Sequence, residues 1–488
     1  VGVTYQDFEP FIQDDWRYRP NLTLSFGLRY EVQNNIHSDL NFAPRLAFAW
    51  SPSKDPRNQK TVLRGGFGIF YTRFGENLTL QANRYNGTNQ QQFVVNTALA
   101  GGLSVLDLFP TVPTLAQLSA FQIRQTVRQV APDLSAPYTM QSALSVDQKL
   151  PHNLTLSASY ILARSLHVLR SRNVNAPLLD AATGRPLRDA SGNLIRPDPT
   201  RGNVYQYESS GRFNQSQFLV NVNSRLSPRL SFGANYVFNV AHSDADNAGT
   251  FPVNQYNLAG EYGRSSLDIR HRFTFYGSLS GLPWGFRLNP FITAMSGRPF
   301  NITIGRDLNG DAIFNERPAF ATDLTRPSVR VTRYGTFDLD PLPGQVIIPR
   351  NYGTGPAFFS VNTRLSKTVG FGEVAAAGGP AGAGGGGGGG RGGGGRGGGG
   401  GRGGRGGFGG GGEFGGSDTT EHRYNLTFSV NVQNLLNHSN LGPPVSNLSS
   451  PLFGQVVSSA GRFGGFGGGG VSQSAGNRRV ELQVRFSF

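Results

Sequence analysis

Asp307-Leu-Asn-Gly-Asp311 puts oxygen-bearing side chains at every second position, the D-x-N-x-D spacing that can wrap oxygens around Ca²⁺. An EF-hand loop needs Gly at its sixth position and Glu at its twelfth; here those positions hold Ala312 and Pro318, so an EF-hand is excluded. What remains is a looser Ca²⁺ loop, in which Asn315 or Glu316 joins Asp307, Asn309 and Asp311, or a plain Asx-turn loop without metal, and the plain loop is the favoured reading. The 7 His residues are scattered with no H-x-x-x-H or H-E-x-x-H pair, so a zinc enzyme has no footing. With Cys 0, thiol catalysis, Cys-ligated zinc and disulfide scaffolds are excluded together. Neither a G-x-S-x-G elbow nor a phosphate-binding G-x-x-x-x-G-K-[ST] loop occurs. Nothing supports catalysis, and no cofactor is expected beyond a structural Ca²⁺.

A second candidate is the run from 375 to 416, almost pure Gly punctuated by Arg391, Arg396, Arg402 and Arg405, with Phe408 and Phe414 nearby. Arg spaced in Gly beside aromatics is the composition of RGG-type RNA-binding segments. It also describes a solvated spacer drawn to anionic lipid or wall polymers, and its place between two strands favours that milder reading over nucleic acid. Having no apolar surface to bury and maximal backbone entropy to lose, the tract is expected to be disordered. A shorter Gly-rich patch spans Gly461 to Gly470.

Any such site must be carried by elements that the sequence announces through strict two-residue alternation. In Leu22-Thr-Leu-Ser-Phe-Gly-Leu-Arg-Tyr30 the apolar side chains at even positions face one way, and Thr23, Ser25, Gly27 and Arg29 face the other. The pattern recurs at 154–160, 230–238, 424–433 and 480–488, each close to the roughly 9 to 11 residues of a tilted membrane-spanning strand. Arg19-Pro-Asn-Leu-Thr-Leu, Pro151-His-Asn-Leu-Thr-Leu and Pro228-Arg-Leu-Ser-Phe each open the second strand of a hairpin after a Pro-containing turn. About thirteen strands are expected, near residues 8–16, 21–32, 42–50, 60–73, 137–149, 153–164, 213–226, 229–241, 265–281, 284–304, 357–369, 421–435 and 477–488. Long polar connections at about 74–136, 165–212, 242–264, 306–356 and 437–476 alternate with short turns, as in an outer-membrane barrel.

Composition agrees with that architecture. Of 488 residues 68 are Gly, 11% are aromatic and only 15% are charged, and no run approaches the roughly 20 apolar residues of a membrane helix. A soluble sandwich would carry charge on its outer face, and a propeller would repeat at about 40 residues. Here the non-apolar face is mostly Ser, Thr, Asn, Gln and Gly, which suits a barrel whose apolar face meets lipid. If the C-terminus lies on the periplasmic side, every short turn is periplasmic and every long loop extracellular. Trp16, Trp50 and Trp284 then all fall at the periplasmic end, where an aromatic belt belongs.

Phe11-Ile-Gln-Asp-Asp-Trp16 followed by Leu22-Thr-Leu-Ser-Phe-Gly-Leu-Arg-Tyr-Glu31 resembles the barrel hairpin of TonB-dependent outer-membrane receptors, especially the Oar-like group. Phe42-Ala-Pro-Arg-Leu-Ala-Phe48, Leu63-Arg-Gly-Gly-Phe-Gly-Ile-Phe-Tyr71, Asp268-Ile-Arg-His-Arg-Phe273, Ser296-Gly-Arg-Pro-Phe300, Asn434-Leu-Leu-Asn-His438 and the closing Arg485-Phe-Ser-Phe488 continue the resemblance in the family's order. It implies an antiparallel up-and-down transmembrane barrel in the bacterial outer membrane, gated by an N-terminal plug and energised through the TonB complex. Barrels of this kind have roughly 22 strands, so the expectation here is a partial barrel: strands and loops over 1–374, a periplasmic Gly/Arg insertion over 375–416 and closing strands over 417–488. The opening Val1-Gly2-Val3, without initiator Met or secretion signal, reads as a piece of a longer precursor whose plug and TonB-contacting segment lie outside it.

Val480, Leu482, Val484, Phe486 and Phe488 alternate to a terminal Phe, which resembles the signal recognised by the barrel-assembly machinery and is equally a last lipid-facing strand. The expected function is import of a large extracellular nutrient, an oligosaccharide or a chelated metal; the alternative is a surface barrel for adhesion or secretion. Loops rich in Asn, Gln and Tyr, at Asn83 to Phe93 and Asn203 to Gln217, suit glycan contacts under either reading.

Overall fold

A computed structural model describes residues 2–53, 55, 59–89, 110–111, 114, 124–372, 420, 422–460 and 476–488. Within them, one 15-stranded sheet dominates, and thirteen of its strands follow one another in sequence order along a single antiparallel path, while the short strand Val127–Val130 adds to it in parallel. These are β1 (Phe11–Arg19), β2 (Leu22–Tyr30), β3 (Phe42–Trp50), β4 (Thr61–Tyr71), β5 (Tyr138–Leu150), β6 (Leu154–Asn173), β7 (Val204–Ser227), β8 (Leu230–Ser243), β9 (His271–Leu279), β10 (Arg287–Met295), β11 (Phe358–Phe371), β12 (Tyr424–Gln433) and β13 (Arg479–Ser487). Every expected strand is present, joined to its neighbours in an up-and-down meander.

The register shows why alternation shapes this sheet. The row Leu24, Phe48, Gly65, Leu144, Tyr160, Phe218 and Phe238 runs across seven strands on one face. The row Asn221, Asn235, Thr274, Thr293 and Ser360 runs across five strands on the other. Large side chains of the apolar face stay exposed, among them Leu144 at 56% and Phe218 at 43%, whereas Thr293 and Ser360 on the polar face are buried. The polarity of a soluble protein is thus inverted, as required where lipid rather than water meets the sheet.

Strands β1 and β13 each pair on one side only among the described residues, so the sheet is open at both edges. Connections alternate as expected: two residues join β1 to β2, three join β5 to β6 and two join β7 to β8 at one end, while the opposite end carries the long segments. Phe371 and Tyr424 are register partners, so the ends flanking the Gly/Arg-rich run lie at the short-turn end. The run itself, residues 375–416, and the patch Gly461 to Gly470 lie outside the described residues.

Several boundaries differ from the sequence expectation for physical reasons. Strand β1 begins at Phe11, after Pro10 removes a ladder donor. Strands β6 and β7 run to 20 and 24 residues, so the connection between them shrinks to 174–203 and much of the segment from Asn203 to Gln217 is strand rather than loop. Their extra length exceeds a membrane thickness and projects beyond it, with a bulge where Gly211 faces Val168. An added Cβ at Gly211 would lie 2.6 Å from the Val168 carbonyl oxygen, so only Gly permits that approach. Strand β9 starts at His271 and β10 stops at Met295; Pro299–Phe300 instead pairs with Gly353–Thr354 in a small separate sheet. A helix, α1 (Glu76–Arg84), forms in the first long connection.

Candidate functional site

Among the described residues, the long-connection end is a folded assembly. Ile36, Phe74, Ala131, Leu134, Ala136 and Tyr207 form one buried cluster, and the Tyr207 hydroxyl donates to Gln81 Oε1 of α1 at 2.9 Å. Ile302, Ile304, Phe337, Leu339, Ile348 and Leu448 form a second, which joins the β10–β11 connection to the β12–β13 connection. Backbone bonds between Thr303 N–H and Ser446 O at 3.0 Å, and between Leu448 N–H and Thr303 O at 2.9 Å, fix that seam.

Ion pairs tie the same end together. Asp268 is fully buried, accepts from Arg264 and Arg270 at 2.9 Å each, and also accepts the Ala241 N–H at 3.0 Å. The segment Asp268-Ile-Arg-His-Arg-Phe273 is therefore a carboxylate holding two guanidinium groups beside β8 and β9. Arg170 with Asp244, Arg172 with Glu208, Arg317 with Glu261 and Arg350 with Asp246 add pairs at 2.7 to 2.9 Å. Such buried pairs specify geometry more than they stabilise, because removing one partner strands the other charge. Asn434, in Asn434-Leu-Leu-Asn-His438, is fully buried at positive φ; its Oδ1 accepts from His438 N–H at 3.0 Å and its Nδ2 donates back to His438 O at 2.8 Å.

Asp307, Asp311 and Glu316 lie together at this end, each offering a carboxylate oxygen within 4.8 Å of the others. The turn that gathers them is made by Gly310 and Ala312, both at positive φ. Asp307 accepts the Gly310 and Ala312 N–H groups at 2.7 and 2.9 Å, and Asp311 Oδ2 accepts from Gln255 Nε2 at 2.7 Å. Asn309 Oδ1 accepts the Asp311 N–H at 2.9 Å while its amide donates to Val253 O at 2.7 Å. Asn315 anchors the same neighbour by donating to Phe251 O at 3.0 Å and Pro252 O at 3.2 Å. Burial, with the Asp311 and Asp307 charges adding to it, pushes the Glu316 carboxyl up to about 7; burial likewise raises Asp311. Sequence spacing located Asp307, Asn309 and Asp311, and Glu316 was one of its two options for a further ligand. It had no means of finding Gln255 or the 251–253 backbone, which are distant in sequence.

Trp16, Trp50 and Trp284 all sit at the short-turn end, 51%, 40% and 82% exposed. Trp16 packs edge-on against Tyr18 at 5.0 Å, and Trp284 against Phe286 at 6.5 Å. At the same end Phe371, Tyr424 and Phe486 stack with centroids 5.6 to 6.2 Å apart. These further aromatics could have been found from their position beside turns. Val480, Leu482, Val484 and Phe486 share the apolar face of β13, and Phe488 follows at 93% exposure. Asn83 and Arg84 close the last turn of α1, Tyr85 to Asn89 follow it, and residues 90–93 lie outside the described residues.

Residues 36–376 match the profile of a family described as "Outer membrane beta barrel domain". No curated protein matches the sequence. Among solved structures, the outer membrane transporter YddB from Escherichia coli is similar at 13% identity and TM-score 0.51, over 98% of this chain and 45% of that one. A mutant ferric enterobactin receptor PfeA from Pseudomonas aeruginosa is similar at 11% identity and TM-score 0.49, over 99% and 45%. The FrpB iron transporter from Neisseria meningitidis is similar at 10% identity and TM-score 0.43, over 98% and 45%. The chain thus spans less than half the length of these proteins. Their descriptions are of an outer membrane transporter, an iron transporter and a ferric enterobactin receptor.

Proposed function

The chain belongs to the outer membrane beta barrel domain family and resides in the bacterial outer membrane; from that premise we propose that it is barrel wall and ligand-facing loops of a TonB-dependent receptor importing a large nutrient. The observation that carries this is the separation of roles across the sheet: an apolar exposed face, an amide- and hydroxyl-lined opposite face, and, among the described residues, folded loops gathered at one end. A pore wall needs exchangeable hydrogen-bonding groups that do not trap a ligand, and Asn221, Asn235, Thr274, Thr293 and Ser360 form such a row. The loop assembly supplies the first contact with an extracellular oligosaccharide or chelated metal. The plug and the segment that meets the TonB complex are then contributed by further parts of the parent protein. On this reading Trp16, Trp50 and Trp284 anchor the periplasmic interface, and Val480 to Phe488 is the strand engaged by the barrel-assembly machinery.

The test is uptake by cells lacking the parent protein, supplied with labelled oligosaccharides and ferric chelates. Loss of uptake of one class, reproduced when the TonB complex is removed, is the expected result. Unchanged uptake of all of them, with loss of cell attachment to glycan-coated surfaces, would replace import with adhesion.

A further inference from the structure

We propose that Asp307, Asp311 and Glu316 form a Ca²⁺ site that fastens the β10–β11 connection to the β8–β9 connection. Three carboxylates converge within 4.8 Å, and none is ion-paired to an Arg, Lys or His among the described residues. Glu316 is only 4% exposed; its Oε1 accepts the Leu308 N–H at 3.2 Å, and its Oε2 is buried with no hydrogen-bond partner. Asn315 Oδ1, beside it, is likewise buried without a partner although its amide is tied down. Most buried polar groups find a hydrogen-bond partner, and a buried carboxylate oxygen left without one inside a cluster of like charge is the group a bound cation would satisfy.

The donor set selects the ion. All available ligands are oxygens, which favours a hard cation over zinc or copper. The ligands come from an irregular loop with both mono- and bidentate carboxylate options, which suits the variable coordination of Ca²⁺ and not the rigid octahedron that Mg²⁺ demands. The same loop is stitched to its neighbour by Asn309 to Val253, Asn315 to Phe251 and Gln255 to Asp311, so an ion that fixes the shape of this loop also fixes how it seats on the β8–β9 connection. This site stands whether the barrel imports or adheres.

The experiment uses the full-length protein purified in detergent and stripped with chelator. Calorimetric titration with CaCl₂ should show one site with a dissociation constant on the order of 10⁻⁴ to 10⁻³ M, and MgCl₂ should bind at least about tenfold more weakly. Asp311→Asn and Glu316→Gln, which keep side-chain shape, should each weaken Ca²⁺ at least about tenfold while retaining a heat-shifted folded band. Absence of binding by the unsubstituted protein up to about 5 mM Ca²⁺, or unchanged affinity in both variants, would overturn the site. Should a variant not fold, protease cleavage within 300–320 of the unsubstituted protein decides: protection by Ca²⁺ supports the site, and cleavage indifferent to Ca²⁺ refutes it.

Discussion

The Tyr276 ring crosses Gly233 on the polar face to donate a hydrogen bond from its hydroxyl to Asn223 Oδ1 at 2.9 Å, so three adjacent strands share one contact. A Cβ added at Gly233 would stand 2.3 Å from the ring, and the ring cannot swing away without losing its partner. Gly233→Ala is therefore expected to cost about 1 to 3 kcal/mol in denaturant unfolding of the reconstituted barrel. Gly65 offers the control: its added Cβ would also lie 2.3 Å from a ring, that of Phe48, but that ring sits on the open apolar face and can move. Gly65→Ala should cost less than Gly233→Ala in the same assay, and a reversed order would contradict this packing. At this scale the sequence was partly legible. The D-x-N-x-D spacing exposed Asp307 and Asp311 because local chemistry has local spacing. The pairing of Asp268 with Arg264 and Arg270, and the demand that Gly297 lack a side chain, depend on tertiary approach; an added Cβ at Gly297 would sit 1.8 Å from Gly355 O.

Among the elements, the strands were legible because period-2 alternation is the direct imprint of two chemically different faces, as Leu154 to Tyr160 illustrates. Their ends were less so. Alternation continues past the membrane in β6 and β7, while Pro10 and the 296–300 segment truncate β1 and β10 without changing polarity. Helix α1 was missed: ENLTLQANR has only Ala82 buried, its leading Gly75 makes no side-chain cap, and Leu78 and Leu80 alternate as a strand would. The faces make a prediction within one strand. Tyr160 lies on the apolar face of β6 and Ser157 on the polar face beside Asp147 and Asn221. Tyr160→Arg places a charge against lipid and should cost about 2 to 4 kcal/mol if near the midplane. Ser157→Arg should leave folding close to unchanged, since the polar face already holds Arg64 and Asp147 as a pair. The check is the fraction of heat-shifted band after refolding into vesicles; equal yields for both variants would remove the distinction between faces.

For the whole molecule, strand parity carried the topology: alternating short and long connections with an up-and-down path leave only one way to place the loops together. The folding of those loops into two apolar clusters was not legible, because Ile302, Phe337 and Leu448 come from separate connections whose meeting has no sequence period. The open edges at β1 and β13 would expose unpaired backbone groups, so the chain expressed by itself should aggregate even in detergent that keeps the full-length parent monodisperse. Size-exclusion chromatography of the two side by side checks this. The central claim is that one face of the sheet meets lipid and the other meets water. This chain has Cys 0, so once any Cys elsewhere in the parent is changed to Ser, single cysteines can be placed and spin-labelled without background along residues 216–222 of β7 in the full-length protein in vesicles. Collision rates with oxygen and with a water-soluble nickel chelate then report each position's surroundings. Ser216, Phe218, Val220 and Val222 should favour oxygen, and Gln217, Leu219 and Asn221 the chelate, in strict alternation. Rates without a two-residue period, or with the faces exchanged, would contradict the assignment of this sheet to a membrane.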